Sequence, residues 1–320
     1  MSALDTVLDR SVIGGYSRLG YAARARRWSA KDPRPGSLAD RTVAVTGATS
    51  GIGAAIAAGV VELGGQAILV GRDRDRADAV RASIRSRHSN AKVEIELADV
   101  SDPAQVTTLA EQLAGYEIDS LIHNAGVMPP ERTESVDGHE LSLATHVLGP
   151  LRLTDLLVER LAHSVDPRVI FMSSGGMYTA ALPTDDIEYR SGRYRGARAY
   201  ARSKRIQTAL LPILADRWAS AGVMVAAMHP GWVDTPGVAD SLPGFKTVAG
   251  PLLRSAEEGA DTALWLTATS ETLPSGRFWH DREIRPLHYL PGTRFSEADR
   301  RAIWRTVSAA AGVGEELDKP

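Results

Sequence analysis

Residues 42–53 read Thr42-Val-Ala-Val-Thr-Gly-Ala-Thr-Ser-Gly-Ile-Gly53, and this stretch decides the fold. Thr42–Thr46 is short, apolar and β-branched, as a strand buried on both faces must be. The turn that follows leads into an Ala-rich helix over 52–63, ended by Gly64-Gly65. Gly47, Gly51 and Gly53 let the backbone turn sharply and let a pyrophosphate approach closely, with Thr49, Ser50 and Ile52 completing the contact surface. The helix start then offers free N–H groups and the positive end of its dipole. The spacing is Gly-x3-Gly-x-Gly, distinct from Gly-x-Gly-x2-Gly.

Outward from this turn the pattern repeats. Residues 67–70, 93–97, 119–123, 168–172 and 223–228 read as further strands. Helical stretches over 73–87, 140–163 and 198–221 separate them. Such alternation predicts α/β architecture: one doubly wound parallel sheet with helices on both faces. It is assigned to residues 38–290. Residues 1–37 are an N-terminal helical extension ending in a linker-like Lys31-Asp-Pro-Arg-Pro-Gly36, and residues 291–320 a C-terminal helical tail. In the extension Val12, Ile13, Tyr16, Leu19 and Ala23 fall at helical spacing, near Arg18, Arg24, Arg26 and Arg27. Two readings stay open: a helix packed on its own domain or a second subunit, or a basic amphipathic helix over 10–28 touching a membrane surface. Because the nucleotide fold starts after it, the extension is expected to be dispensable for cofactor binding. The stretch 175–197 is long for a loop and is either functional or a surface excursion.

Composition narrows the function. A net charge of -2 gives no reason to expect nucleic acid. The absence of cysteine excludes disulfides, thiolate metal sites and a Cys nucleophile; together with an N-terminus lacking signal-peptide order, it sets the expectation of a cytoplasmic protein. No run of 18 apolar residues occurs. His280 and His288 lack ligand spacing and there is no His-Glu-x2-His, so no metal is expected; no Gly-x-Ser-x-Gly elbow suggests hydrolysis.

The strand ends carry the candidate cofactor contacts. An Asp at the end of the second strand would bond a ribose 2′-hydroxyl. Here Gly71-Arg72 leaves room and charge for a 2′-phosphate, which points to NADP(H) over NAD(H), unless Arg72 is merely solvated. Asp99, followed by Val100, ends the third strand, where it either holds the adenine amino group or caps the next helix.

The candidate chemistry lies in Tyr200-Ala-Arg-Ser-Lys204. The chain has 37 Lys and Arg together, only five of them Lys, and eight Tyr. A Lys four residues after a Tyr is then expected by chance in roughly one of eight such chains, the false-positive risk of any short motif. Residues four apart share a helix face. A neighbouring ammonium is expected to lower the phenol's pKa from about 10 and make Tyr200 a proton donor and acceptor. Lys204 is also long enough to reach a ribose hydroxyl. Ser173 or, preferably, Ser174, just beyond the fifth strand, would hydrogen-bond a carbonyl oxygen as it gains charge. Val233, Val238, Leu242, Phe245, Val248 and Leu252 make the region 234–255 an apolar lid candidate.

With these residues assembled, the chain resembles the classical short-chain dehydrogenase/reductases over residues 41 to about 280. Within that family, segments such as Ser173-Ser-Gly-Gly-Met177 and Pro274-Ser-Gly-Arg-Phe278 are similar to the dehydrogenase/reductase member 12 group, whose relatives include retinol dehydrogenases. The resemblance implies that Asn124-Ala125-Gly126 steadies the central strand, that Ser174, Tyr200 and Lys204 are catalytic, and that His229-Pro-Gly-Trp-Val-Asp-Thr-Pro236 lies on the nicotinamide side, with Pro230, Gly231, Val233 and Thr235 as contacts. It implies an apolar carbonyl or alcohol substrate and, commonly, a homo-oligomer. One departure matters: His146 stands where the family has an Asn that helps hold a relay water linked to the catalytic Lys. The expectation is that the His146 carbonyl and ring take over, so His146 joins the catalytic candidates. The alternative is a weak or inactive cofactor-binding regulatory or scaffold protein.

Overall fold

A computed structural model of the protein describes residues 11–29, 31–234 and 250–314. Among these, β1 (Thr42–Thr46), β2 (Gln66–Gly71), β3 (Val93–Leu97), β4 (Ser120–His123), β5 (Arg168–Met172), β6 (Met224–Met228), β7 (Arg277–His280) and β8 (Glu283–Ile284) form one sheet in the order β3-β2-β1-β4-β5-β6-β7-β8. All pairings are parallel except β7 with β8. The helices are α1 (Val12–Tyr16), α2 (Arg18–Ala25), α3 (Gly51–Glu62), α4 (Arg74–Arg87), α5 (Pro103–Leu113), α6 (Leu141–Leu143), α7 (Gly149–Leu161), α8 (Gly196–Arg217), α9 (Ala256–Ala268) and α10 (Glu297–Ala311).

Both faces of the sheet are buried. Val43, Val45, Leu69, Ile170 and Met172 face a core shared with Ile56 and Val60 of α3, Ile84 of α4 and Leu266 of α9. Their strand neighbours Ala44, Ile68, Val70, Val169 and Phe171 face the opposite core, with Leu109 of α5, Leu157 of α7, Leu210 of α8 and Trp304 of α10. Alternate residues of a strand point to opposite faces, so continuous apolar runs are what a doubly covered sheet needs.

Three features depart from the sequence reading. The six expected strands are joined by β7 and β8, whose hairpin turns at Asp281 and Arg282 with φ of +50° and +60°. Tight hairpins of this hand usually advertise themselves with Asn-Gly or Asp-Gly, whereas this turn is Asp281-Arg282. The N-terminal stripe is not one helix. Ser17 breaks it and caps α2, Tyr16 and Arg24 are buried in the protein itself, and Leu19 is 69% exposed. The helix expected over 140–163 contains a π-turn over Ala144–Leu148, where the Gly149 N–H donates to the Ala144 carbonyl. Pro150 explains it. Proline has no N–H to give the His146 carbonyl four residues back, and its ring would crowd that oxygen.

Gly149 begins α7 against the loop after β3. A Cβ built there would stand 1.8 Å from the Val100 carbonyl oxygen, so backbone would have to move. Gly149→Ala is expected to cost about 3 kcal/mol or more in urea unfolding, or to abolish soluble protein. Gly292→Ala, with nothing within 4 Å of the added carbon, should stay within about 0.5 kcal/mol.

Candidate active site

The glycine turn sits between the ends of β1 and β4. Gly47 and Gly51 have φ of +66° and +52°, which disfavour side chains. A Cβ on Gly47 would lie 2.7 Å from Ala125 Cα, and one on Gly53 2.3 Å from the Gly47 carbonyl oxygen. The turn therefore approaches the Asn124-Ala-Gly126 backbone as closely as backbone allows. Asn124 locks it: its Nδ2 donates to the carbonyls of Thr46 and Gly47, both at 3.1 Å, while Thr46 Oγ1 accepts from the Asn124 and Ala125 N–H groups. At the start of α3 Ser50 makes no side-chain cap, and the first turn holds no acidic residue. A glycine cradle opening onto an uncapped helix start fits a pyrophosphate. Thr49 and Ile52 flank it, half-buried, with the Thr49 methyl packed on Gly71.

Arg72 is exposed and donates to Asp99 at 3.0 Å. Burial alone would raise Asp99, but hydrogen bonds from Ser101 and Arg72 outweigh it and hold the carboxyl below its usual range. Asp99 does not cap α5; Asp102 does, accepting from the Ala104 and Gln105 N–H groups. Val100 is buried.

α8 carries Tyr200 and Lys204 on one face, and Lys204 Nζ lies 5.6 Å from the Tyr200 ring centre. Ser174, just past β5, has its side chain beside the Tyr200 hydroxyl, where it favours the phenolate. Ser173, by contrast, is buried and donates to the Lys204 carbonyl at 3.3 Å. The structure thus brings together Ser174, Tyr200 and Lys204, and assigns Ser173 to packing. Lys204 is buried with Nζ donating to the Met172 carbonyl at 2.7 Å, and burial pushes its pKa down to about 7.

Two electrostatic expectations are corrected. Tyr200 is raised, not lowered: burial dominates and Ser174 only moderates it. A lysine that has itself lost much of its charge to burial offers little field to stabilise a phenolate. His146 has no ring nitrogen open for water. Its Nε2 accepts from the Val127 N–H at 3.0 Å, which leaves Nδ1 protonated and donating to Ser203 Oγ at 2.7 Å. Ser203 in turn donates to the Tyr200 carbonyl at 2.9 Å. Burial, then Lys204, holds His146 well below its ordinary pKa, and its ring packs edge-on to Tyr200 at 5.2 Å. Its carbonyl, released by the π-turn, accepts from Gln207 Nε2 at 2.5 Å. Ser203 and Gln207 escaped the sequence reading, although Pro150, four residues after His146, was the signal that this carbonyl is special.

On the far side of the cleft, Pro230 and Gly231 follow β6. Gly231 has φ +80°, and the Pro230 carbonyl accepts from Arg254 at 3.1 Å. Val233 is buried and bridges to Arg254. Thr235 and most of the lid candidate, including Val238, Leu242, Phe245 and Val248, lie outside the described residues. No group of three or more metal-ligating side chains occurs among the described residues, and no helix there is long and apolar enough to cross a membrane.

A doubly wound sheet with a glycine cradle at its reversal point and a Ser-Tyr-Lys cluster on the same edge defines a nucleotide-dependent oxidoreductase class. The family model for short chain dehydrogenases matches residues 41–185. The chain is 39% identical over 290 residues to dehydrogenase/reductase SDR family member 12 of Bos taurus, covering 88% of this chain and 89% of that one. It is 30% identical to human retinol dehydrogenase 13 over 98% of this chain and 94% of that one. A Beutenbergia cavernae structure with bound NADP aligns at 28% identity and a TM-score of 0.59, covering 73% of this chain and 92% of that one. The chain belongs to the short-chain dehydrogenase/reductase family, whose members use a nicotinamide cofactor.

The buried lysine sets a pH dependence. Its folded pKa lies below its unfolded value, so above about pH 7 the unfolded chain binds a proton that the folded one does not, and stability rises with pH. The unfolding free energy of the wild type minus that of Lys204→Met should rise by about 2 kcal/mol between pH 7 and pH 9. Urea titrations at the two pH values measure it; a flat difference would place the ammonium in solvent.

Proposed function

We propose that this protein is an NADP(H)-dependent oxidoreductase acting on an apolar carbonyl or the corresponding primary or secondary alcohol. The observation that carries the reading is the placement of the Ser174 side chain beside the Tyr200 hydroxyl at the carboxyl edge of β5, with Lys204 one helical turn behind. The nicotinamide supplies or takes the hydride when bound. Ser174 donates a hydrogen bond to the substrate oxygen, and Tyr200 gives that oxygen its proton. A raised phenol pKa suits the donor role, since the proton stays on Tyr200 until negative charge develops beside it. Lys204 reaches the ribose. His146 acts through others: its bonds to Val127 and Ser203 fix the backbone that carries Tyr200.

For the cofactor, Gly47–Gly53 cradles the pyrophosphate and Asn124-Ala-Gly126 backs it. Arg72 meets the 2′-phosphate by leaving Asp99, to which an exposed pairing binds it weakly. The NADP-bound neighbour supports this choice. For the substrate, the human relative is named for retinol, an apolar alcohol, and buried Val233 with Leu253 begins an apolar margin on the lid side.

One observation favours a second reading, a catalytically weak NADP(H)-binding protein. Both nitrogens of the His146 ring and its carbonyl are engaged within the protein, whereas the family's Asn position serves a relay water. The readings separate in one experiment. NADPH oxidation is followed across a panel of apolar ketones and aldehydes beside stoichiometric cofactor binding. Turnover supports the enzyme; tight binding without turnover supports the second reading.

Arg72→Asp is expected to weaken NADPH about 10- to 100-fold and leave NADH within about threefold, because it removes one charged hydrogen bond and adds a repelling carboxylate. Isothermal titration of both cofactors into both proteins checks it, and equal wild-type affinities would reject the 2′-phosphate assignment. Tyr200→Phe should lower kcat about 10²–10⁴-fold while sparing cofactor affinity, since only the proton donor is lost. Unchanged turnover would move the donor elsewhere.

A further inference from the structure

Tyr16, outside the sheet and 30 residues before the glycine turn, is wedged between the two loops that flank the proposed chemistry. One loop carries Ser174; the other is the Pro230–Val233 segment. A Cβ on Gly175, beside Ser174, would stand 2.6 Å from Tyr16 Cε2, and a Cβ on Gly231 would stand 2.7 Å from the Tyr16 carbonyl oxygen. Both loops therefore reach Tyr16 at distances only glycine permits. The Trp232 N–H donates to the Tyr16 carbonyl at 2.8 Å. The Tyr16 ring meets His229 edge-on at 4.5 Å and His280 at 5.4 Å.

A buried ionic clamp seats the wedge. The Gly15 carbonyl accepts from the guanidinium groups of Arg24 and Arg254, both at 3.0 Å, and lies 3.1 Å from His280 Nε2. Arg254 spans both sides of the joint, because it also donates to the Pro230 carbonyl at 3.1 Å. Asp281 pairs with both cations, accepting from Arg254 at 2.6 and 2.8 Å and from Arg24 at 2.8 Å. The side chains of Arg24, Arg254 and Asp281 are 6%, 1% and 1% exposed. A buried charge network of this closure fixes geometry, since any displacement strands a charge away from water.

We infer that the α1–α2 hairpin is a positioning element of the active site: the Tyr16 ring and Gly15 carbonyl set the gap between the Ser174 loop and the nicotinamide-side segment. The extension is then required, against the expectation that it is dispensable for cofactor binding. Its structural consequence stands on contacts alone; its kinetic consequence rests on the oxidoreductase reading. Tyr16 touches no reacting atom and acts through the loops it spaces.

The test uses full-length Tyr16→Ala and Tyr16→Phe. Hydrogen exchange, read without any ligand, should quicken about tenfold or more in peptides spanning 173–178 and 229–234 for Tyr16→Ala, remain at wild-type rates in β1–β4, and be restored by Tyr16→Phe. In binding, Tyr16→Ala should weaken NADPH several-fold while adenosine 2′,5′-bisphosphate, which occupies only the cofactor's adenosine half, keeps its affinity; a general loss of fold would weaken both. With an active substrate, kcat/KM should fall roughly tenfold or more through kcat, as a misplaced catalytic group costs rate. Unchanged exchange in both loops, or equal exchange and binding losses across the whole molecule, overturns the inference. Wild-type protein without turnover but with loop exchange as expected would reject the enzymatic reading and leave the positioning role standing.

Discussion

Every pairing from β3 across to β7 is parallel, and the site depends on that one constraint. Parallel strands end together, so residues separated by up to about 180 positions in sequence arrive at one edge: the turn after Thr46, Arg72 after β2, Asp99 after β3, Asn124 after β4, Ser174 after β5 and Pro230 after β6. The chain runs outward from β1 through β2 to β3, then crosses back to β4 on the other side of β1. The crevice at that reversal is where ligands enter such sheets. The Gly47 turn lies there, pressed against Ala125 so closely that a methyl would not fit.

At this edge the protein buries cations that water would otherwise hold. Lys204 has its ammonium on a backbone carbonyl and a pKa near 7, which puts proton exchange in the physiological range at a cost in stability. The same burial raises Tyr200 and suppresses His146. A helix with Tyr and Lys four apart thus yields a neutral tyrosine beside a half-charged lysine, and the side-chain order of the motif did not reveal that sign. His146 shows how local covalent structure reaches the site. Pro150 breaks one helical bond, a π-turn follows, and the freed carbonyl turns to Gln207.

The second charged cluster solves a different problem. Asp281 and Arg282 adopt a left-handed turn that non-glycine residues resist, and ion pairs hold both: Asp281 to Arg24 and Arg254, Arg282 to Asp261. Through Arg254 that turn is joined to Pro230, and through Gly15 to the N-terminal helices. The last strands of the sheet, the Pro230–Val233 segment and the N-terminal hairpin are therefore one mechanical unit.

The sequence by itself determined the alternating pattern, the first six strands to within about one residue and the glycine turn, and it offered the Ser-Tyr-Lys candidates, because these rest on local rules: continuous apolar strand runs, helix periodicity and glycine's backbone freedom. Tertiary structure alone decided what no window of sequence contains. It buried Ser173 under α8 and left Ser174 the more open of the two. It paired Arg72 with Asp99, 27 residues apart. It made β7 and β8 a hairpin whose unusual turn is held by arginines from distant segments, and split an apparently amphipathic N-terminal stripe so that Tyr16 faces inward. Burial and long-range charge neutralisation depend on which segments meet, and only the folded chain brings them together.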